Sequence, residues 1–306
     1  MVNVIVDLEN LPAASATEDL DRSTRRGSFL RAFVSRNKVG TIGFLVFFGI
    51  LFLTLVAPYF MAAKNPTVVS NIYAPPSWAH PLGGDFMGKD VWYQIVHGGR
   101  ALIFVSVSAA LLSTAIAVIF GALSAMIGGA FDAAVLMISD VIITLPNVIL
   151  LGVLAAYIQL DNLLLLALVL SLTAWPVLLR AVRAQVLSLK EREYVEAARM
   201  LDLGTARILF REVIPNMMSY IVINFVFAMT GAIYGQVILF FLGLVPLAGD
   251  NWGLMINQAY TKGAIFFKDS FLYIMAPIFM ISILQLSLVM ISRSLEDIFN
   301  PRLREE

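Results

Sequence analysis

Six long apolar runs, separated by polar segments, dominate the pattern of the chain. Each run has at least the roughly 20 residues that a helix needs to cross about 30 Å of hydrocarbon. Within lipid, a helix satisfies its own backbone hydrogen bonds, so an isolated apolar run of this length is helical. We therefore predict an all-α integral membrane protein with six transmembrane helices, at residues 39–60, 101–127, 133–158, 163–187, 217–244 and 271–292.

The polar segment between the fourth and fifth runs, residues 190–216, is unusually long and highly charged for a connection between spans. Residues 187–201 are strong helix formers, which predicts a first helix. Asp and Gly within 202–205 favour a turn, and a second short helix is predicted over 205–213, before Pro215. The pattern predicts a helix, a turn and a helix on the membrane surface. Composition alone fits two roles equally, docking of a soluble partner or resting on lipid headgroups.

The basic residues predict the orientation of the chain, because loops rich in Lys and Arg stay in the cytoplasm. Of the 21 Lys and Arg residues, most lie in the arm 1–38, in 180–211 and in the tail from Arg293. Six spans place all three regions on the same side, so both termini and the 190–216 segment are predicted to be cytoplasmic. The predicted organisation is a cytoplasmic arm, a first span, an extracytoplasmic loop, a core of five spans and a short tail, over 1–38, 39–60, 61–100, 101–298 and 299–306.

The composition supports the membrane assignment and excludes several kinds of chemistry. Apolar residues make up 59% of the chain and charged residues 14%, against about one-half and one-quarter in soluble domains. The chain has no cysteine, which excludes disulfides, thiolate metal sites and cysteine nucleophiles. Its two histidines lack a suitably spaced third ligand. We predict no metal site, no catalytic residue and no nucleic-acid partner.

Polar residues inside the apolar runs are candidates for a translocation pathway. Asn224 and Gln236 in the fifth run are the first candidates, although buried amides also hold helices together. For Asp140 in the third run, a structural ion pair or helix-end contact is favoured over a proton relay.

Residues 196–216, EAARMLDLGTARILFREVIPN, resemble the EAA motif of the permeases of binding-protein-dependent ABC importers. Glu196, Ala197 and Ala198 match its beginning, and Ile214–Asn216 match its end. One position departs from the family pattern, which has Gly six residues after the Glu where this chain has Asp202. We expect the turn to be kept but re-aimed, with Gly204 two residues later.

The loop before the second run is similar to a signature of one branch of that family, the dipeptide, oligopeptide and nickel permeases, and within it to the second, C-type subunit. The residues that carry this similarity are His80, Gly83, Asp85, Gly88, Asp90, Gly98 and Arg100. Further matches lie at Asp140 with Pro146, Phe241–Leu244, Trp252–Gly253 and Asn300–Arg302.

The resemblance implies an importer of a bacterial or archaeal plasma membrane. Its parts would be this chain, a second homologous permease, two ATPase subunits and an extracytoplasmic solute-binding protein, within the lipid bilayer. The permease would bind no cofactor and would be no enzyme, since ATP and magnesium would sit on the ATPases. The EAA segment would form the coupling helix, with the contact residues Tyr194, Glu196, Ala197, Ala198, Asp202, Gly204, Arg207 and Pro215.

The substrate stays open at this stage. Peptides are favoured, but residues 242–253 depart from the proline-rich stretch usual in peptide permeases, which leaves oligosaccharides open and, less favoured, nickel or metal chelates. Two other classes compete with the importer: a secondary transporter that works without an ATPase and a membrane scaffold that only recruits a cytoplasmic protein.

Overall fold

The structure is a computed structural model that describes residues 37–61, 65–246 and 249–299. Within these ranges it contains helices and loops but no strand. The predicted arm, apart from its last two residues, and the tail beyond Phe299 lie outside the described residues. The helices are α1 Lys38–Leu55, α2 Val91–Ile127, α3 Gly129–Thr144, α4 Asn147–Tyr157, α5 Leu163–Leu189, α6 Glu193–Met200, α7 Thr205–Ile208, α8 Met218–Phe241, α9 Trp252–Thr261 and α10 Phe271–Phe299.

The helices of the structure confirm the prediction of an all-α membrane protein. Helices α1, α2, α5, α8 and α10 are each long and apolar enough to cross a membrane. The pair α3 and α4 brings the number of spans among the described residues to six if it is counted as one span, although the two helices are bent by 93° relative to each other.

The break between α3 and α4 divides the third span predicted over 133–158 into two helices. It falls at Pro146, which has no backbone N–H to continue the helical ladder. The preceding residue, Leu145, adopts an extended conformation with φ −81° and ψ 133°, as the proline ring requires of its neighbour. Hydropathy does not register this break, because the residues on both sides of Pro146 are apolar.

The second span also begins earlier than predicted, at Val91 rather than near residue 101. Asp90 caps the helix, since its side chain accepts hydrogen bonds from the backbone N–H groups of Trp92 and Tyr93. The last ten residues of the predicted loop 61–100 are therefore the first turns of α2. An apolar-window count missed them because these turns contain polar residues.

Helix α2 is the centre of the bundle and packs mainly on α5 and α8. The approach to α5 is close at Gly121, where an added Cβ would lie 2.7 Å from the carbonyl oxygen of Leu179. At one end of the bundle α2 meets the 190–216 segment, and at the other it meets α9 through buried Trp252, whose Nε1 donates to the carbonyl oxygen of Ile95 at 2.8 Å.

Helix α1 packs mainly along α10, so the first and last described helices are neighbours. Gly43 lets the backbones approach, because an added Cβ there would lie 2.7 Å from the Cβ of Met290. Beside it, Asn37 Nδ2 donates a 2.8 Å hydrogen bond to Ser294 Oγ.

Candidate functional site

The 190–216 segment folds as the sequence predicts, into α6, a turn and a second helical stretch. The second stretch starts as α7 and continues through a π-helical turn, Leu209–Val213, to Pro215 at the entrance of α8. The segment lies at the end of the bundle where α2 and α5 finish. Its buried face shows how it is held there.

One face of the segment is part of the protein core. Its buried side chains are Val195, Ala198, Ile208, Leu209 and Val213. They pack in one cluster with side chains of α2 and α5, including Ala125, Val182 and Val186. The turn between the helices contributes Leu203 to the edge of the same cluster. The segment is thus fixed to α2 and α5 rather than resting loosely on the bundle.

Ala198 belongs to this inner face, which corrects the expectation that all three residues of the EAA head reach a partner directly. Ala198 is only 6% exposed, whereas Glu196 and Ala197 are exposed. A helix of 3.6 residues per turn cannot present three consecutive positions to the same side. The buried member of the three packs α6 onto the bundle.

The opposite face of the segment is open to solvent and is partly apolar. Most of the predicted contact residues are exposed there: Tyr194, Glu196, Ala197, Asp202, Gly204, Arg207 and Pro215. Three large apolar side chains that the sequence did not single out join them, Met200 at 86%, Leu201 at 74% and Phe210 at 55% exposure. We call this set the outer face. Contiguous exposed apolar side chains rimmed by polar ones are typical of interaction sites.

The turn after α6 has the hydrogen bonds of a Schellman motif, with Asp202 in the left-handed conformation at φ +54°. Leu203 N–H donates to the carbonyl of Ala198, and Asp202 N–H donates to that of Arg199. Glycine is the usual residue at the left-handed position of this motif, and Asp202 occupies that position here. The predicted turn is confirmed. Gly204 has an ordinary φ of −59°.

An ion pair beneath the segment joins α3 to α5. The guanidinium of Arg183 donates two hydrogen bonds of 2.6 Å to the carboxylate of Asp132. Ser124 of α2 donates to the same carboxylate, and Lys190 Nζ lies 3.5 Å from the carbonyl oxygen of Ala125. In the sequence, Arg183 is only one of the basic residues that indicate the orientation, because nothing in the local pattern links it to a residue 51 positions away.

Farther from the 190–216 segment along the same two helices, Asp140 of α3 pairs with Arg180 of α5. Of the two contacts that the sequence favours for Asp140, a structural ion pair or a helix-end contact, the structure shows the ion pair. Both side chains are about half-exposed, 55% for Asp140 and 47% for Arg180.

The two amides suggested for a pathway differ in position. Gln236 is completely buried, and its Nε2 donates to the carbonyl oxygen of Leu102 at 2.8 Å and to Ser106 Oγ at 2.6 Å. It joins α8 to α2 and faces no open pathway in this conformation. Asn224 is half-buried and donates to the carbonyl oxygen of Tyr220 in its own helix at 2.8 Å.

At the other end of the bundle, the 65–90 loop is held by two carboxylates. Buried Asp85 accepts hydrogen bonds from the backbone N–H groups of Met87 and Lys89 and from Gln94 Nε2, at 2.7–2.8 Å. Asp90, besides capping α2, lies 3.0 Å from His80 Nδ1. The signature residues His80, Asp85 and Asp90 therefore hold the fold of the loop.

Glycine is required where two stretches of this loop cross closely. Gly88 has φ +73°, and an added Cβ would lie 1.9 Å from the carbonyl oxygen of Val68. Gly83 has φ +77° and a similarly close contact with the carbonyl oxygen of Ala74. Arg100, past the loop, is exposed and donates to the Tyr59 hydroxyl at 3.3 Å.

A cavity of about 380 Å³, which no pattern in the sequence indicates, opens beside the loop. Its charged lining includes Asp85, Lys89 and Asp250. The pKa of Asp250 is raised above its ordinary value, first because burial penalises the carboxylate and to a smaller extent because of Asp85, while His97 and Lys89 oppose the rise.

Comparison of the sequence with known proteins assigns this chain to a family. The profile of the family described as "Binding-protein-dependent transport system inner membrane component" matches residues 117–305, which include α3 to α10 and the 190–216 segment. A putative peptide permease protein of Brucella ovis is 36% identical over 259 residues, which are 84% of this chain and 82% of the relative.

Two relatives from Bacillus subtilis extend the similarity to nearly the whole chain. The oligopeptide transport system permease protein OppC is 29% identical and the match covers 96% of this chain and 97% of the relative. The dipeptide transport system permease protein DppC is 28% identical, with 96% and 88% covered. The chain therefore belongs to the family of binding-protein-dependent transport system inner membrane components, the multi-pass permease subunits of such systems.

Proposed function

We propose that this chain is one of two permease subunits of an ATP-driven peptide importer in a bacterial or archaeal plasma membrane. The peptide substrate is supported by relatives that are named peptide, oligopeptide and dipeptide permeases. Both termini and the 190–216 segment face the cytoplasm in this proposal, on the evidence of the Lys and Arg distribution.

One observation carries the ATP-driven mechanism: the 190–216 segment has a core face buried against α2 and α5 and an outer face with exposed apolar side chains. A partner that binds Met200, Leu201 and Phe210 and then moves will displace α6 and α7. Because Val195 and Leu209 are completely buried, the segment cannot move without moving the ends of α2 and α5. The two faces together therefore couple the movement of a soluble partner to the spans.

In this proposal the soluble partner is an ATPase subunit, one for each permease. ATP and magnesium belong to the two ATPases. Glu196, Ala197 and Arg207 contact the ATPase, while Ala198 supports α6 from inside. The Asp132–Arg183 pair transmits the movement to α3. A solute-binding protein delivers the substrate at the opposite end, where the 65–90 loop lies.

The decisive experiment measures ATPase capture and uptake together. Glu196→Lys reverses a charge on the outer face, so the cognate ATPases should no longer co-purify and ATP-dependent uptake of a labelled tripeptide into proteoliposomes should fall at least tenfold. Asp161→Lys makes the same charge change at an exposed site at the other end of the bundle and should leave both unchanged. Uptake that continues without ATP would overturn the ATP-driven proposal in favour of a secondary transporter.

The substrate class is tested in the same vesicles by competition. An excess of unlabelled tripeptide should abolish uptake of the labelled tripeptide, and an excess of a trisaccharide should not. Competition by the trisaccharide alone would show an oligosaccharide importer, which the stretch 242–253 left open.

A further inference from the structure

Trp78, in the 65–90 loop, has a side chain that is completely exposed. Its exposed neighbours are small residues and prolines, namely Pro75, Pro76, Ser77, Ala79 and Pro81. Residues 65–84 contain no Asp, Glu, Lys or Arg. A large indole surrounded only by water leaves the favourable free energy of its burial unused. The indole is therefore a candidate contact for another molecule, and its height above the membrane limits what that molecule can be.

A bend of the loop holds Trp78 in a fixed position. The backbone N–H of Ser77 donates to the carbonyl oxygen of His80 at 3.0 Å, and the N–H of His80 donates to Ser77 Oγ at 3.1 Å. The ring of His80 is itself held, with Nδ1 3.0 Å from the carboxylate of Asp90 and Nε2 3.3 Å from Nδ2 of Asn71. A side chain on a preorganised bend loses little conformational entropy when a partner binds it.

Arg100 of α2 marks the outer boundary of the hydrocarbon. It is the last charged residue before the charge-free stretch 101–131. Its guanidinium donates to the hydroxyl of Tyr59 at 3.3 Å, and Tyr59 lies at the end of the apolar run 39–60. Tyrosine is typical of the boundary between hydrocarbon and headgroups. The outer ends of two spans thus agree on this level.

The bend with Trp78 lies well beyond that boundary. Helix α2 continues without a break from Arg100 back to Val91, so its cap Asp90 lies about 15 Å along the helix from Arg100. Each headgroup layer is about 5–8 Å thick, and even a helix tilted by about 40° raises Asp90 by about 11 Å. Because His80 contacts Asp90, the bend lies at that height, outside the lipid.

A permanent contact with the second permease fits Trp78 poorly. Permanent interfaces are large and resemble a divided hydrophobic core, but the bend offers one large apolar side chain among prolines and small residues. A single tryptophan is typical of interfaces in which a few residues supply most of the binding free energy. The family to which the chain belongs is described by its dependence on a binding protein, which in the proposed topology is a soluble partner on this side of the membrane.

We propose that Trp78 is the anchor that holds the solute-binding protein on this subunit, with its indole inserted into an apolar pocket of the binding protein. The inference rests on the proposed function. The prolines and small residues beside Trp78 lie against the rim of that pocket, where they exclude water from the indole. Because the bend is formed before docking, the contact requires no refolding of the loop.

Truncation of the indole tests the anchor. The ATPase rate of the assembled importer in lipid nanodiscs, which leave both sides accessible, is measured against the concentration of tripeptide-loaded binding protein. Trp78→Ala should raise the half-saturating concentration at least about tenfold, as loss of an interface anchor does, and should leave the rate at saturation unchanged. Trp78→Phe, which keeps an aromatic ring, should recover part of the loss.

Phe266→Ala is the matched control. Phe266 is also an exposed aromatic residue, but it lies just before the apolar run 271–292, at the level of the membrane boundary. Its truncation should change neither the half-saturating concentration nor the rate at saturation. An unchanged half-saturating concentration in Trp78→Ala overturns the proposal.

Photocrosslinking identifies what covers the indole. p-Benzoylphenylalanine replaces Trp78 in the same nanodiscs, which are irradiated with and without the purified binding protein, and the crosslinked product is identified by its mass. The expected product joins this chain to the binding protein. A crosslink to the second permease or to lipid in its place shows that another molecule covers position 78 and overturns the proposal.

Failure of the proposed function has a different signature. If the unmodified importer takes up no tripeptide into proteoliposomes with ATP present, the proposed import of peptides is contradicted, whether or not the crosslink forms. If the importer takes up tripeptide but position 78 gives no crosslink to the binding protein, only the anchor is contradicted.

Discussion

Asp132 and Arg183 bind each other through two hydrogen bonds of 2.6 Å, and Ser124 of a third helix donates to the same carboxylate. Two consecutive helices, α2 and α3, thus meet the more distant α5 at one ion pair, next to the cluster that holds the 190–216 segment. Both side chains are mostly buried, at 17% and 26% exposure, so the pair is shielded from screening by solvent.

Removal of one partner should destabilise the protein more than removal of both. Asp132→Leu leaves Arg183 without its counter-charge, and breaking a buried pair in this way costs about 3 kcal/mol or more. The double variant Asp132→Leu/Arg183→Leu leaves no unpaired charge and should recover a large part of that loss. The measurement is the temperature of thermal aggregation in detergent. Additive losses in the double variant would contradict a specific pairing.

Asp202 should tolerate glycine but not alanine. A left-handed residue other than Gly is strained by about 1–2 kcal/mol, with Asp and Asn less so because of their local hydrogen bonds. Asp202→Gly should therefore slow hydrogen exchange of the turn amides or leave it unchanged, and Asp202→Ala should accelerate it by about tenfold.

The control for this turn is Gly204→Ala. Gly204 has φ −59°, and an added Cβ would meet no heavy atom within 4 Å. We expect no acceleration of exchange. If Gly204→Ala loosened the turn more than Asp202→Ala, the assignment of the strained position to residue 202 would be wrong.

The carboxyl of Asp250 should make the protein more sensitive to alkaline than to acidic conditions at this site. Burial raises its folded-state pKa, so the folded protein holds the proton more tightly than the unfolded chain. Its effect on stability falls as the pH rises from the ordinary pKa through the raised one. Asp250→Asn should thus raise the unfolding temperature at pH 7, and the gain should vanish below about pH 4, near the ordinary pKa of Asp.

Asp161→Asn is the matched control for that prediction, because Asp161 is exposed. It should change the unfolding temperature little at either pH. A gain for Asp250→Asn that is equal at pH 4 and pH 7 would exclude titration of Asp250 as its cause.

Gly88→Ala should disrupt the 65–90 loop. The new methyl group would overlap the carbonyl oxygen of Val68 in a backbone conformation that side chains rarely adopt, and strain with overpacking together cost about 3 kcal/mol. Gly49→Ala in α1, where an added Cβ meets nothing within 4 Å, should instead be neutral or stabilising. Limited proteolysis of the loop distinguishes them, and equal resistance of both variants would refute the crossing at Gly88.

The sequence predicted the features of the fold that depend on neighbouring residues. The apolar runs indicated the spans because hydropathy is a local sum, and the turn at Asp202 followed from local turn preference. Asp90 carried a capping signal for α2, but a count of apolar residues could not register it. The break at Pro146 was likewise concealed within an apolar run.

The contacts between distant helices could not be predicted in this way. Asp132 meets Arg183, and Asp140 meets Arg180, only because α3 packs against α5, and a single sequence contains no signal for that register. The inward position of Ala198 also depends on packing, because the motif alone does not distinguish a residue that touches a partner from one that supports the helix behind it.

The packing of α1 along α10 has a consequence for how the protein is made. Synthesis runs from the N-terminus, so α1 is made before α10. The close contact of Gly43 with Met290 and the hydrogen bond of Asn37 with Ser294 can form only after the residues as far as Ser294 have left the ribosome. Until then α1 has lipid or insertion factors where α10 will lie, so a chain cut short before α10 leaves α1 without its main neighbour and open to quality-control proteolysis.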